Sequence, residues 1–444
     1  MVPNSWREDA ELNAARPGDG PAWRNWAGNV SDSAPFVTPE SVSELSDTVR
    51  TATDRGIRVR VAGSGHSFSP IASSDGMRIA LTRMPINVEV VGTSVTVPGG
   101  ITLNRLNREL DSRGLALPNL GDIDAQTITG AIQTGTHGTG AGFGGLASFV
   151  SALTLLTADG STVSCSRGEP LFDAAVVGLG AFGVVVSVTL ECVPAFILRA
   201  EERPSPLQPV LDGLDDLIAG NDHFEFYWFP YTSRVQVKLN NRVSELDTPL
   251  PGWRRWLDDS FLSNTVFGAG CRVARRVPGF ARPLMRVSAR ALSARTYTAT
   301  SHEVFCTARR VRFTEMEYGL PRAALGEALK GLRGVVEGLP FPVAFPVEVR
   351  FTASDEPWLS HGHGRDSAYV AVHQFVGMPH EPYFREFEKI CLDLGGRPHW
   401  GKMHFASGER LRAAYPRFAD WAAERDRIDP AGVFRSPFVD RLLS

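Results

Sequence analysis

Residues 57–70 constrain this chain more than any other stretch, because a strand there runs into a series of small residues that cannot build a core. Ile57, Val59 and Val61 alternate with Arg58 and Arg60 at period two, the spacing of a half-buried strand. Gly63, Ser64, Gly65, His66, Ser67, Phe68, Ser69 and Pro70 follow. Glycine at 63 and 65 lets backbone N–H groups come close to a ligand, and the serines add hydroxyl donors, an arrangement that suits a pyrophosphate. His66 stands where a P-loop would continue with Lys, and no third glycine opens a helix before Pro70, so neither a P-loop nor the dinucleotide fingerprint is present. A Gly/Ser turn carrying a solvated histidine is the competing reading of these residues alone.

Two further glycine-rich segments shift that balance. Residues 119–145 contain Thr127, Thr129 and Gly130, then Thr134, Gly135, Thr136, His137 and Gly138. Such a run suits close backbone approach to a planar ligand. A linker would not interleave Ile, Ala and His with glycine, and a loop this long inside a domain is usually functional. Gly178, Gly180 and Gly183 precede a buried strand from Val184. Around these segments the pattern predicts a helix over 38–56 capped by Thr38, a hairpin over 88–97 turning at Gly92, a helix from Thr102 presenting Leu103, Leu106 and Leu110, and a hairpin about Asp159 and Gly160. The result is a mixed α+β domain.

At 444 residues the chain exceeds one ordinary core, so two domains are expected. A formal net charge of -3 argues against a nucleic-acid binder. The N-terminus shows no apolar leader, and Trp6, Trp23 and Trp26 sit among polar, Gly and Pro residues as an ordered lead-in. The most apolar run, 174–190, falls short of a membrane span, so membrane contact is expected to be peripheral at most. Five widely spaced cysteines without a CxxC indicate neither a disulfide framework nor a zinc site. No metal is expected, and a reducing, cytoplasmic location is the simple inference.

The second half predicts a sheet with helices on one face: helices over 207–219 and 323–339, and strands over 223–229, 234–240, 309–318, 343–351 and 367–375. Period two puts Glu348 and Arg350 on one face of their strand and Val347, Val349 and Phe351 on the other, one wet and one dry. A surface ion pair is the bland alternative. Arg309, Arg312, Glu315 and Glu317 read as structural. His373 lies among apolar residues, where a satisfied core histidine is the usual case. Residues 244–300, rich in Arg, Trp and Pro, show no clear periodicity, and their basic residues read as solvated surface.

The segments 63–70 (Gly-Ser-Gly-His-Ser-Phe-Ser-Pro), 128–140 (Ile-Thr-Gly-Ala-Ile-Gln-Thr-Gly-Thr-His-Gly-Thr-Gly), 178–184 (Gly-Leu-Gly-Ala-Phe-Gly-Val) and 397–402 (Arg-Pro-His-Trp-Gly-Lys) resemble the vanillyl-alcohol oxidase superfamily. Within it they resemble the sugar-lactone branch of L-gulono-1,4-lactone oxidases and dehydrogenases, D-arabinono-1,4-lactone oxidases and alditol oxidases. The resemblance runs from about residue 26 to about residue 434. It implies a two-domain α+β flavoprotein: an FAD-binding domain over 1–198, a cap domain with an antiparallel sheet over 199–410, and a C-terminal segment over 411–444 that returns to the first domain. It also implies FAD carried covalently on His66 through the 8α-methyl group, with Glu348, Arg350, His373 and Lys402 at the active site and Thr127 near substrate.

The implied reaction is oxidation of a CH–OH group of a sugar lactone by hydride transfer to the flavin, with molecular oxygen or another electron acceptor. His373 is the first candidate base, ahead of Glu348. An alditol or sugar-alcohol oxidase, a tailoring oxidase of a sugar-bearing metabolite, and an inactive sugar-binding homologue are the alternatives. Alditol oxidases carry a hydroxyl-bearing Thr where this chain has Phe375, which implies a lactone stacked on Phe375 in place of an open-chain polyol.

Overall fold

The strand Val59–Val61 that leads into the glycine-rich loop is the edge of a small parallel sheet, with Met77–Ile79 at its centre and Phe36–Val37 beyond. The computed structural model describes residues 23–444; the expectation for Trp6 lies outside the described residues. Helix Val42–Asp54 covers the sheet with Leu45, Val49 and Ala52. It starts later than predicted because Ser41, not Thr38, caps it by accepting the Glu44 N–H at 3.1 Å. Beside it lies a five-stranded antiparallel sheet in the order Thr162–Ser166, Val150–Leu156, Val184–Glu191, Ser94–Pro98, Glu89–Val91. Helices Leu103–Asp111, Ile128–Gln133 and Pro170–Ala175 share its core.

The end of the chain closes onto this half. Trp421, Phe438, Val439 and Leu442, from helices Phe418–Ile428 and Pro437–Leu443, enter the same core. Val433 and Phe434 pack with Leu45 and Val49, and the Val433 carbonyl accepts the Val59 N–H at 2.8 Å.

The other half is an eight-stranded sheet in the order Arg295–Thr300, Ile197–Pro206, Arg234–Val243, His223–Trp228, Val347–Thr352, Ser367–Phe375, Phe313–Pro321, Arg397–Pro398. Alternation gives it two unlike faces. Phe226, Val237, Val349, Val370 and Met316 face helices Leu325–Gly338 and Glu381–Asp393, where Leu329, Leu332, Phe384 and Phe387 meet them. The opposite face carries an almost unbroken row of charge. Glu202 stands opposite Lys238, Lys238 opposite Glu225, Glu225 opposite Arg350, Tyr227 opposite Glu348, and His373 opposite Glu315.

Neither face is wet, which corrects the expectation for the Glu348 strand. Glu348 is 6% and Arg350 7% exposed, because the second glycine-rich segment covers them. Gly140 N–H donates to the Phe351 carbonyl at 2.7 Å and Phe351 N–H to Thr139 Oγ1 at 3.2 Å, stitching that segment to the sheet. Residues 244–300 also depart from expectation, forming consecutive helical segments Gly252–Arg255, Trp256–Val266, Phe267–Arg276 and Ala281–Ala291. The strand Ile197–Pro206 escaped prediction because its charges and two prolines mask any alternation.

Candidate active site

The cradle loop forms one wall of a cleft to which all three glycine-rich segments contribute. Gly63, Ser64, Gly65, His66, Ser67, Thr127, Thr129, Gly130, Thr134 and Gly183 all line it, together with Gly99, Gly100 and Gly180. The segment 119–145 is not structureless here: Thr127 caps the short helix Ile128–Gln133 by accepting the Gly130 N–H at 3.1 Å. Backbone walls come close because side chains are missing. A Cβ at residue 63 would fall 2.5 Å from Thr127 Oγ1. Thr129 Oγ1 is buried on this wall without a hydrogen-bond partner, a polar atom for a ligand to satisfy.

Arg60, read from sequence as merely polar, holds the cleft open. Its buried guanidinium donates to the carbonyls of Ile71 at 2.6 Å, Leu179 at 2.6 Å and Gly180 at 3.2 Å, and burial lowers its pKa to about 10. Arg58, just before the strand, pairs instead with Asp75 and Asp440. Gly63→Val is expected to cut the flavin content of purified protein roughly tenfold or more, on the scale of an overpacking cost of ~1–3 kcal/mol. Flavin absorbance against protein absorbance reads this directly, and normal flavin loading would show that the cleft serves another purpose.

The loop meets the charged sheet face at the C-terminal segment 399–402. Phe68 N–H donates to the Gly401 carbonyl at 2.6 Å and Ser69 Oγ to the Trp400 carbonyl at 2.6 Å, which fixes Lys402 beside the cradle with its Nζ 5.2 Å from the Phe68 ring centre. Lys402 Nζ donates to Glu315 at 2.6 Å, and the other Glu315 oxygen lies 3.4 Å from His373 Nε2. Burial pushes the Glu315 carboxyl up, but Lys402 and His373 outweigh it and hold it down at about 2. His373 Nδ1 is 3.2 Å from the Pro346 carbonyl, and Nε2 faces the carboxylate. Phe313 spans the gap, 5.0 Å from His373, 5.7 Å from Phe68 and 5.2 Å from Trp26, which in turn stacks on His66 at 5.6 Å.

Next along the same face is Arg350. It reaches Glu225 at 2.9 Å, Asp122 at 3.5 Å and Glu348 in direct contact. Burial opposes its charge, yet Glu348, Glu225 and Asp122 together raise its pKa well above the ordinary value. Glu348 accepts the Tyr227 hydroxyl at 2.8 Å, and burial raises its pKa in spite of Arg350. This is no surface pair, and Glu315 and Glu317, read from sequence as structural, lie on the same face. Their strand register and the acids' alternation with Met316 and Tyr318 were the signal available.

Several expected cofactor residues lie elsewhere. Phe68 packs against Phe313 and Trp26. Gly135, Thr136, His137 and Gly138 run behind the cleft: a Cβ at 135 would meet His361 Cε1 at 2.5 Å, Gln126 Nε2 donates to Thr136 Oγ1 at 3.3 Å, Gly138 O lies 2.8 Å from His137 Nδ1, and His137 stacks on Tyr369 at 3.7 Å. Val184 is fully buried with Leu45, Val49 and Leu156, so it is core and Val185 lines the cleft instead. His137, Glu317 and His399 bring three possible ligand atoms within 4.8 Å of one another. His399 Nδ1 accepts the Gly401 N–H at 3.0 Å, and His137 Nε2 lies 3.3 Å from Glu317 within the trio.

Phe375 does not reach an open face. Its ring belongs to a cluster with Cys271, Ala274, Ala281, Phe345 and Met378, under the Arg275 guanidinium. Phe313 and Phe345 are the rings beside His373. Phe375→Thr is therefore expected to cost about 2–4 kcal/mol of stability by cavity formation, with little change in substrate choice; thermal melting and a substrate panel separate the two effects.

Comparison with known proteins matches this arrangement over nearly the whole chain. A family model described as D-arabinono-1,4-lactone oxidase matches residues 188–442, and one described as FAD binding domain matches residues 33–166. The chain is 43% identical to L-gulono-1,4-lactone dehydrogenase of Mycobacterium tuberculosis over 95% of this chain and 99% of that protein. It is 34% identical to L-gulonolactone oxidase of Bos taurus, over 96% and 98%, and 34% identical to alditol oxidase of a Streptomyces species, over 94% and 98%. In fold it is similar to cholesterol oxidase from B. sterolicum, with a TM-score of 0.81 at 19% identity over 97% of this chain and 99% of that one.

Proposed function

The chain belongs to the D-arabinono-1,4-lactone oxidase family, and from that premise we propose that it is an FAD-dependent oxidoreductase oxidising a CH–OH group of a sugar-1,4-lactone of the L-gulono or D-arabinono type. Oxygen or another acceptor takes the electrons. The observation that carries this reading is the meeting of the cradle loop with His373, Glu315 and Lys402 on one buried sheet face. Residues 1–198 with 411–444 are assigned to the cofactor and 199–410 to the substrate.

Bound FAD would supply a hydride acceptor, which no side chain can. The walls of the cleft fit it, with Gly63, Gly65, Ser64, Ser67 and the Thr127–Gly130 turn as the cradle and Thr129 Oγ1 as a free polar contact. His373 takes the hydroxyl proton of the substrate on Nε2. Glu315 faces that nitrogen, so the imidazolium forms beside a fixed negative charge and at less cost. Lys402, neutralised by Glu315 at rest, orients substrate oxygens, and Arg350 contributes positive charge from the same face. Thr127, on the cleft wall, is assigned a substrate contact beyond its capping bond. With Phe375 withdrawn into its cluster, preference for a lactone over an alditol rests on the family. Anaerobic reduction by L-gulono- and D-arabinono-1,4-lactones, with xylitol and sorbitol alongside, tests it; reduction by xylitol and by no lactone would make the alditol reading the correct one.

His66 is assigned the covalent flavin bond, since a neutral imidazole is a nucleophile and this one lines the cleft. The protein is expected to stay yellow through acid precipitation, and His66→Ala to release its flavin to the supernatant. Complete release from the unaltered protein would sink the assignment.

A further inference from the structure

Trp23 and Trp26 do more than lead into the fold. Strands Trp23–Arg24 and Ser31–Asp32 pair as a short hairpin. Its base is held to the small parallel sheet by the Arg78 guanidinium, which contacts Asp32 and lies 4.3 Å from the Trp23 ring centre. The tip, residues 25–30, turns at Gly28, whose φ of 77° lets its N–H reach the Asn25 carbonyl at 3.0 Å.

Three hydrogen bonds fasten that tip to the cradle loop, and they bracket His66. Trp26 N–H donates to the Gly65 carbonyl at 2.8 Å, Asn25 Nδ2 to the Ser67 carbonyl at 2.9 Å and Asn29 Nδ2 to the Phe68 carbonyl at 2.8 Å. The residues on either side of His66 are thereby pinned from outside the loop. The Trp26 indole lies on the imidazole itself, with ring centres 5.6 Å apart and planes 26° from parallel. Phe313 and Phe68 meet the indole edge-on at 5.2 Å and 6.2 Å and keep it from swinging away. His66 lines the cofactor cleft, whereas Trp26 is not part of that lining.

We propose that Trp26 is a positioning residue that aims the His66 imidazole for attachment of the flavin, a role that rests on the covalent bond assigned to His66. The nucleophilic lone pair of a neutral imidazole lies in the ring plane. An indole on the ring face therefore fixes the direction of attack and leaves the nitrogens at the ring edge uncovered. In the attachment, an imidazole nitrogen bonds to the flavin 8α carbon, while one C–H bond of that carbon and the imidazole N–H break. The two electrons and two protons released pass to the flavin ring system, and the acceptor that reoxidises it in turnover then takes the electrons. None of the reacting atoms belongs to Trp26, which acts only through the imidazole. A hairpin that merely closed the sheet edge would have no reason to set its one large ring on His66 and its three bonds around it.

The test uses the full-length chain purified free of flavin and mixed with FAD, with samples precipitated in acid at intervals and the flavin in the pellet measured. Trp26→Leu should bind FAD as the unaltered protein does, read from quenching of flavin fluorescence, and should fix it to the polypeptide ~10²-fold more slowly, the scale of a misaimed reacting group. Trp26→Phe keeps a ring face and should recover most of that rate. Asn29→Ala removes one clamp with the indole in place and should slow attachment several-fold; it carries the test if Trp26→Leu does not fold. Attachment at the unaltered rate in Trp26→Leu, or in Asn29→Ala where Trp26→Leu does not fold, would overturn the proposal. So would slowing that Trp26→Phe shares in full, or FAD affinity lost in step with attachment, since the indole would then serve the fold or the cleft. Flavin that never enters the pellet with the unaltered protein would show instead that His66 forms no bond, and the proposal would fall with that assignment.

Discussion

Arg350→Ala is expected to slow lactone-dependent flavin reduction by ~10² or more and to lower the melting temperature in the same step. The first effect follows from removing a fixed positive charge on the sheet face that meets the cradle. The second follows from what the guanidinium neutralises: Glu225, Glu348 and Asp122 converge on it, and the first two are almost fully buried. Removing one partner from such a set leaves the others uncompensated, typically at ~3–5 kcal/mol. Partial protonation of Glu348, whose pKa burial already raises, would soften the loss. Arg350→Lys keeps the charge but not the planar fork that reaches several carboxylates at once, so it should recover stability better than turnover. Unchanged melting and unchanged reduction in Arg350→Ala would show the network to be idle.

How much of this was legible in the sequence depends on what each residue's neighbours are. The cradle could be read because its function needs local features, glycine and serine at a strand end, and most of those residues line the cleft. The hairpin at Gly92 and the helix capped by Thr102 were legible for the same reason. Glu348 and Arg350 could be placed on one face by period two, but alternation says nothing about what covers that face. The cover, residues 138–140, arrives from about 210 positions away. Glu315 was read as structural because its two partners, His373 and Lys402, come from a neighbouring strand and a distant loop. Phe375 failed differently: reasoning by correspondence assigned it a role, and the helical segment that starts at Phe267 took its ring into a cluster with Cys271, Ala274 and Ala281.

Glu315→Gln is expected to reduce the maximal rate by ~10–10². Glu315 lies between His373 Nε2 and Lys402 Nζ, and a neutral amide of the same shape withdraws its charge from both. Stability should change in a defined window too. Lys402 and His373 hold the folded-state Glu315 pKa at about 2, below the ordinary carboxylate value of 4.5. Its contribution is therefore complete above the unfolded-state value and is lost as pH falls from there through about 2. Wild type should lose stability more steeply than Glu315→Gln across that interval, while above it the variant should be the less stable, with Lys402 left buried beside an amide. Parallel melting curves between pH 2 and pH 5, or an unchanged maximal rate, would show that Glu315 neither serves His373 nor tethers Lys402.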